Sequence, residues 1–367
     1  MQILFSSLHN LDLAQDDPVK KDIPDDFKPF IERYINYACN ENKTFRLYIV
    51  SDINRTVVNC ISKLCWESVK STGNESVEKA QQSFTDSIAS KLQDVERNVQ
   101  ERIQHMTSVQ KGSIIQALIL NTEAEFSTEA LLTGNTPTYF RYIVAKVEHE
   151  GYFNSETLKK SLGFPSENNQ VWKSAIFDVT FDENHEPTFS DVRVYVNNKA
   201  KYWADEFLEL KAKQTDVENT KAAFHAVDKV FLPLKHESPQ DYYNLRNSLV
   251  HKLQSDKDIS FPDMVEDLVG SYVPASDNIN TAEIKDKLTE AGKSGKFDTQ
   301  FHADPSALKK DFKMTFHVAP SVDLVIKEGL PNWKEQINTI RKSDGSKYIM
   351  IKCDDENVLR NFHEVDE

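Results

Sequence analysis

The sequence predicts an α+β fold: a mixed, largely antiparallel sheet with helices in the N-terminal half, and a helix-rich C-terminal half with a small β-hairpin or sheet. A short polar connection, residues 182–187, joins the apolar runs at 171–181 and 188–196, which is typical of an antiparallel hairpin. One long segment of that half has helical periodicity. Beyond residue 197, apolar residues recur mainly at three- and four-residue steps, which indicates helices.

A chain of 367 residues is long enough for two domains. The pattern changes from strands to helices near residue 190, and we place the boundary there. Residues 1–190 are then an α+β domain, and residues 191–367 are a helix-rich domain that ends in a β-hairpin.

Alternating and continuous apolar runs predict the strands of the first domain. They fall at residues 2–8, 44–50, 112–121, 139–149, 171–181 and 188–196. The run at 112–121 is apolar throughout, which indicates a central strand that is buried on both faces. Helical spacing predicts helices at 27–38, from Val57 to Cys65, and at 154–163.

The longest periodic segment is 76–103, where apolar residues from Val77 to Ile103 form one narrow stripe. Such a stripe fits a helix that packs on a sheet face of its own domain, or one that packs on a partner helix. The first interpretation is the simpler one. The second is one of two reasons to expect a homodimer.

The C-terminal half has clear helix boundaries. The first helix is expected over 197–210, with Trp203 and Phe207 facing the core. Further helices are predicted at 217–230, after Ser238, at 261–270, at 280–292 and from Asp304. Strands are predicted at 312–318, 322–328 and 348–352.

Composition restricts the function. The net charge is −14, which opposes nucleic-acid binding at long range unless cations are concentrated locally. The N-terminus lacks a signal-peptide pattern and no apolar run is long enough to span a bilayer, so a cytoplasmic protein is expected. The four cysteines lack zinc-site spacing.

No motif for a catalytic site, a metal or a cofactor is present, and a non-enzymatic protein is expected. The lysine- and glycine-rich segment at 292–296 lacks the strand and helix that a phosphate-binding loop requires. A divergent nuclease that uses Glu237 remains an alternative.

Nucleic-acid binding requires local cations, because phosphate neutralisation supplies most of the affinity. The windows 191–235 and 283–313 each hold one more base than acids. The candidate DNA- or partner-contact residues in and near them are Arg193, Lys199, Lys201, Lys309, Lys310 and Lys313. Lysines in a last helical turn also stabilise the helix dipole, which is a structural explanation for the last three.

The order of motifs in the C-terminal half resembles the bacterial nucleoid-associated protein family of the NdpA type. The resemblance covers about residues 190–365, and only the order of elements agrees over 27–182. The motif residues are Ala204, Asp205 and Phe207; Ala226, Val227 and Asp228; Phe301, Ala303, Asp304, Ser306 and Leu308; and Ile351, Lys352, Asn357, Leu359 and Arg360.

The resemblance implies a cytoplasmic, nucleoid-linked protein. Such a protein binds the DNA backbone without regard to sequence, or it binds a DNA-handling enzyme such as a topoisomerase, nuclease or helicase. It also favours a homodimer, and it implies no catalytic residues. The alternative is an acidic accessory subunit, for example in a phage-defence assembly, that docks on a partner enzyme rather than on DNA.

Overall fold

The computed structural model describes residues 2–23, 44–70, 75–103, 112–120, 140–148, 150–153, 160–163, 171–182, 186–196, 200–327 and 333–362, together with residues 29, 32, 109, 184 and 330. It divides into two compact units, Met1–Thr215 and Asp216–Glu367, here unit 1 and unit 2. The helix predicted at 27–38 lies outside the described residues.

Unit 1 is built on one large sheet. Its strands are β1 (Gln2–Leu11), β2 (Val19–Lys21), β3 (Arg46–Ile49), β4 (Gly112–Leu120), β5 (Phe140–Glu148), β8 (Val171–Phe181), β9 (Pro187–Phe189), β10 (Val192–Val196) and β11 (Lys211–Ala212). The order is β11-β3-β10-β8-β5-β4-β1-β2, with β9 also paired to β8. Every pairing among these strands is antiparallel, and β4 is buried along its whole length, as predicted.

Two helices, α1 (Thr56–Lys70) and α2 (Glu75–Ile103), pack on one face of this sheet. The predicted stripe of α2 supplies Ile88, Leu92 and Val95 to the same core as Ile114 and Leu118 of β4. The stripe is therefore used within unit 1. It offers no surface for a second copy, and the homodimer expectation loses that support.

The segment between β5 and β8 differs from the prediction. A helix was expected at 154–163, but β6 (Glu150–Phe153) and β7 (Lys160–Gly163) form an antiparallel hairpin. The spacing of apolar residues in so short a segment does not separate a helix from a strand.

Residues 191–215 belong to unit 1, so the observed division lies later in the chain than residue 190. Strand β10 pairs with β3 and β8, and Trp203 and Phe207 are fully buried in the unit 1 core, with ring centroids 4.8 Å apart. The helix predicted at 197–210 is a single π-helical turn, Trp203–Phe207. It ends before Glu209, whose φ of 54° is incompatible with a right-handed helix.

Unit 2 has a helical core. Its helices are α3 (Asp216–Phe231), α4 (Leu234–Glu237), α5 (Pro239–Ser255), α6 (Phe261–Val265), which continues into a π-turn at Glu266–Gly270, α7 (Thr281–Lys293), α8 (Trp333–Gln336) and α9 (Glu356–Leu359). The larger helices were predicted. Asn280 caps α7 by accepting from the amides of Ala282 and Glu283, at 3.1 and 3.2 Å.

Three two-stranded sheets complete unit 2: β12 (Asp258–Ser260) with β13 (Gln300–His302), β14 (Met314–Ala319) with β15 (Val322–Ile326), and β16 (Ile337–Arg341) with β17 (Lys347–Ile351). The β16–β17 pair is here the C-terminal hairpin. Its first strand was not predicted. These sheets and helices confirm the α+β class expected for the chain.

Candidate nucleic-acid interface

Arg193 lies on β10 and already contacts a carboxylate. Its guanidinium is 3.4 Å from a carboxylate oxygen of Asp178, which also binds Arg141 at 2.6 Å. The Arg193 side chain is only 20% exposed. This arrangement stabilises the join between β8, β5 and β10 and leaves little of the Arg193 charge for a phosphate.

Lys199 lies outside the described residues. Lys201 is exposed in the turn before Trp203, as a ligand contact requires. Its charge acts on Asp205: burial raises the pKa of Asp205, and Lys201 counteracts that rise. Lys201 is thus a single exposed cation beside an acid, and it lies in unit 1, whereas the second lysine cluster lies in unit 2.

The second cluster, Lys309, Lys310 and Lys313, is exposed as a group. The expected helix from Asp304 is only a 3₁₀ turn, Pro305–Leu308, and the lysines lie in and beyond the turn that follows it. A helix dipole therefore does not explain them. Leu308 and Phe312, on either side of the turn, are buried in the unit 2 core and fix its position.

The C-terminal hairpin carries cations that the sequence windows missed: Arg341, Lys342, Lys347 and Lys352, all of them exposed. The turn between its strands contains Gly345, at φ 87°. Asp344 accepts from the amide and hydroxyl of Ser346, which lowers the pKa of the Asp344 carboxyl and orders the turn. The Lys342 ammonium lies 5.3 Å from the ring centroid of Tyr348.

The lysine cluster at 309–313 and the cations of the C-terminal hairpin belong to one basic segment, residues 305–352. It holds nine bases and five acids in a chain of net charge −14. The windows counted from the sequence ended at 313 and so divided the segment. A window that began at Pro305 would have found it.

Of the seven lysines whose side chains are described on the helices of unit 2, four have carboxylate partners, and Lys221, Lys229 and Lys235 have none among the described residues. Lys252 binds Asp256 and Asp267, Lys285 binds Glu266, Lys287 binds Glu283, and Lys293 binds Glu290. In contrast, the seven exposed cations of the Lys309 turn and the C-terminal hairpin make no ion pair with any residue that the structure describes. Their charge is open to an external anion.

A buried polar cluster in unit 1 resembles a catalytic arrangement but is closed to solvent. The Lys146 ammonium lies 2.6 and 2.8 Å from the two carboxylate oxygens of Glu96, and the Tyr202 hydroxyl donates to Glu96 at 2.8 Å. Burial and then the Glu96 charge raise the pKa of Tyr202. Because Lys146 and Glu96 are each only 1% exposed, they have a structural role.

Glu237, the residue of the nuclease alternative, ends the short helix α4. Within the described ranges, no group of three histidine, cysteine or carboxylate side chains could hold a metal ion. Likewise, no helix in the described part of the chain is long and apolar enough to cross a bilayer.

Several residues that carry the family resemblance have structural roles. Asp228 binds the Arg246 guanidinium at 3.0 Å, and Asp304 caps the 3₁₀ turn by accepting from the Ser306 amide at 3.0 Å. Phe207 and Leu308 are fully buried. Such residues fix a fold and do not by themselves identify a ligand.

Comparisons with known proteins add no relative. No family model, no curated protein and no solved structure matches this chain. The resemblance to the nucleoid-associated family therefore rests on the sequence motifs alone.

Proposed function

We propose that the protein is a non-enzymatic, cytoplasmic DNA-binding protein of the nucleoid. In this proposal it contacts the DNA backbone through the exposed cations of unit 2, without reading bases. The observation that carries it is the basic segment 305–352, whose exposed cations on the Lys309 turn and the C-terminal hairpin have no carboxylate partner among the described residues.

The net charge of −14 does not oppose this proposal at short range. At physiological ionic strength, charges more than about 8 Å apart are largely screened, so a phosphate responds to the cations next to it. Six of the seven cations lie in two short stretches, 309–313 and 341–347, and Lys352 ends the hairpin. Each stretch can follow neighbouring phosphates along one strand.

Backbone contacts of this kind give a definite signature. Each neutralised phosphate contributes about −0.9 to the slope of log affinity against log salt. If four to seven of the cations contact phosphates, the slope should be about −4 to −6. Affinity should also be the same for duplexes of unrelated sequence, because phosphate contacts carry no sequence information.

Charge reversal tests which cations are involved. We expect the double variants Lys309→Glu/Lys310→Glu and Arg341→Glu/Lys347→Glu each to bind a short fluorescent duplex at least about tenfold more weakly, with a shallower salt slope. The matched control is Lys285→Glu/Lys287→Glu, which reverses two exposed lysines on α7 of the same unit that are already paired with Glu266 and Glu283. Equal affinity of all three variants would contradict the proposal.

A second candidate function is supported by a different observation. Exposed large apolar side chains of unit 2 concentrate at its C-terminal end, including Val322, Tyr348, Ile351 and Phe362. Exposed apolar patches of this kind mark protein interfaces. The chain would then be an accessory subunit that docks on a topoisomerase, nuclease or helicase, for example in a phage-defence assembly.

A pull-down after nuclease treatment separates the two functions. Recovery of such an enzyme from a DNA-free lysate, together with no duplex binding by the pure protein, favours the accessory subunit. Duplex binding by the pure protein at low salt favours direct DNA binding.

A further inference from the structure

The second strand of the C-terminal hairpin, β17, exposes four consecutive apolar side chains to solvent. Tyr348, Ile349, Met350 and Ile351 of β17 are each 41–53% exposed. They alternate along the strand, so apolar groups lie on both faces of the ribbon. Two-stranded hairpins are marginally stable alone, and more strands normally complete such a sheet.

The edges of this hairpin are open in the described part of the chain. Strands β16 and β17 form a two-stranded sheet that pairs with no other described strand. Their register places Ile337 opposite Ile351 and Arg341 opposite Lys347. The outer edge of β17 therefore presents unpaired backbone groups beside apolar side chains, which is a template for a further strand.

We infer that β17 pairs antiparallel with β17 of a second copy of this chain, giving a four-stranded sheet with a two-fold axis at Ile349. In this register Tyr348 lies opposite Met350 of the other copy, and Lys347 lies opposite Ile351. Apolar side chains then meet apolar side chains across the axis, and no lysine lies opposite a lysine.

Charge complementarity favours a second copy in this orientation. The hairpin tip, residues 341–347, has a net charge of +2, with three bases and Asp344, whereas residues 352–356 have a net charge of −2, with Lys352 and three acids. Antiparallel pairing brings the tip of each hairpin next to the acidic segment of the other. A parallel pairing would instead place the cationic tips side by side, where they repel.

This pairing goes beyond DNA binding and does not depend on it. Arg341 lies on the outer strand of the four-stranded sheet, and Lys309, Lys310 and Lys313 lie outside the hairpin. These cations stay open to phosphates in the dimer. Since five residues a side make a small interface, we expect a dissociation constant in the micromolar range.

Sedimentation velocity without DNA tests the inference. The wild-type protein should shift from monomer to dimer as its concentration rises through the micromolar range. Ile349→Lys places two like charges opposite each other and should weaken association at least about tenfold. The control is Val273→Lys, at a residue that is 79% exposed in unit 2 but outside the hairpin, and it should associate like the wild type.

Cysteine cross-linking tests the register. In a Cys353→Ser background, Ile349→Cys should form an intermolecular disulfide under mild oxidation, because the two positions face each other across the axis. Asn338→Cys, on the outer strand β16, should not, because roughly 14 Å of sheet separates the two copies there. A wild-type protein that stays monomeric overturns the inference, and so does cross-linking through position 338 in place of 349.

Discussion

Glu96 and Lys146 form a buried ion pair whose disruption should strongly destabilise unit 1. Glu96→Gln keeps the size of the side chain but removes the carboxylate charge that lies 2.6 Å from the Lys146 ammonium, which is only 1% exposed. Removal of one partner from a buried pair costs about 3–5 kcal/mol. The Tyr202 hydroxyl can still donate to the amide oxygen, so most of the loss should come from the lost attraction between the carboxylate and the Lys146 ammonium.

Urea unfolding followed by tryptophan fluorescence measures this loss. Trp66, Trp172 and Trp203, three of the four tryptophans, lie in unit 1, so the signal reports mainly on that unit. With an unfolding slope of about 3 kcal/mol/M, the midpoint of the Glu96→Gln variant should fall by at least about 1 M.

The control removes every member of the cluster. A triple variant, Glu96→Leu/Lys146→Met/Tyr202→Phe, removes the ion pair and the hydroxyl but keeps an aromatic ring beside the buried Lys173, whose ammonium lies 5.2 Å from the Tyr202 ring centroid. It should recover most of the lost stability, because a buried ion pair is often no better than apolar groups of similar size. A Glu96→Gln midpoint within about 0.3 M of wild type, or a triple variant as unstable as the single one, would refute this reasoning.

Three other predictions concern single side chains. Asp241 is fully buried, and burial alone would raise the pKa of its carboxyl. Hydrogen bonds from two backbone amides and two hydroxyls outweigh that effect and lower the pKa. Asp241→Ala should therefore destabilise unit 2 by about 3 kcal/mol or more in urea unfolding. Burial lowers the pKa of His9 despite its hydrogen bond to Asp86. As the pH drops, His9 of the unfolded chain binds its proton before His9 of the folded protein does. The free energy of unfolding should therefore fall between a pH of about 6.5 and the lower pKa of the folded state. His9→Gln should remove that part of the pH dependence in unfolding titrations. Arg193→Gln should leave duplex affinity unchanged, since the Arg193 side chain is only 20% exposed and already contacts Asp178.

The sequence predicts the fold best where the burial of apolar side chains leaves one arrangement, or one simplest arrangement, for a segment. The apolar run at 112–121 has to be buried on both faces, and β4 is a central strand. The stripe from Val77 to Ile103 has to face a single surface, and α2 packs on the sheet. In both cases the hydrophobic effect alone decides the outcome.

The predictions from the sequence fail where tertiary contacts override the local pattern of apolar and charged residues. The spacing of Ala200, Trp203 and Phe207 fits a long helix, but burial of the two aromatic rings against the sheet limits it to one π-turn. Likewise, Arg193 looks like an available cation in the sequence. Only the fold shows that its side chain is 20% exposed and contacts Asp178 on the neighbouring strand β8.

Only one of the two groups of cations in the candidate nucleic-acid interface could be predicted from the sequence. Lys309, Lys310 and Lys313 are adjacent in sequence and were found by counting. The cations of the C-terminal hairpin lie on two strands, one of which was not predicted, so Arg341 and Lys347 come together only when β16 pairs with β17.

The salt dependence of duplex binding by the purified protein is the most direct test of DNA binding. Affinity should fall by about three decades between about 50 and 200 mM salt, equally for two duplexes of unrelated sequence. The Arg341→Glu/Lys347→Glu variant should reduce the slope by about 2. Absence of binding at about 50 mM salt, or binding that salt does not weaken, would contradict a role for these cations on DNA.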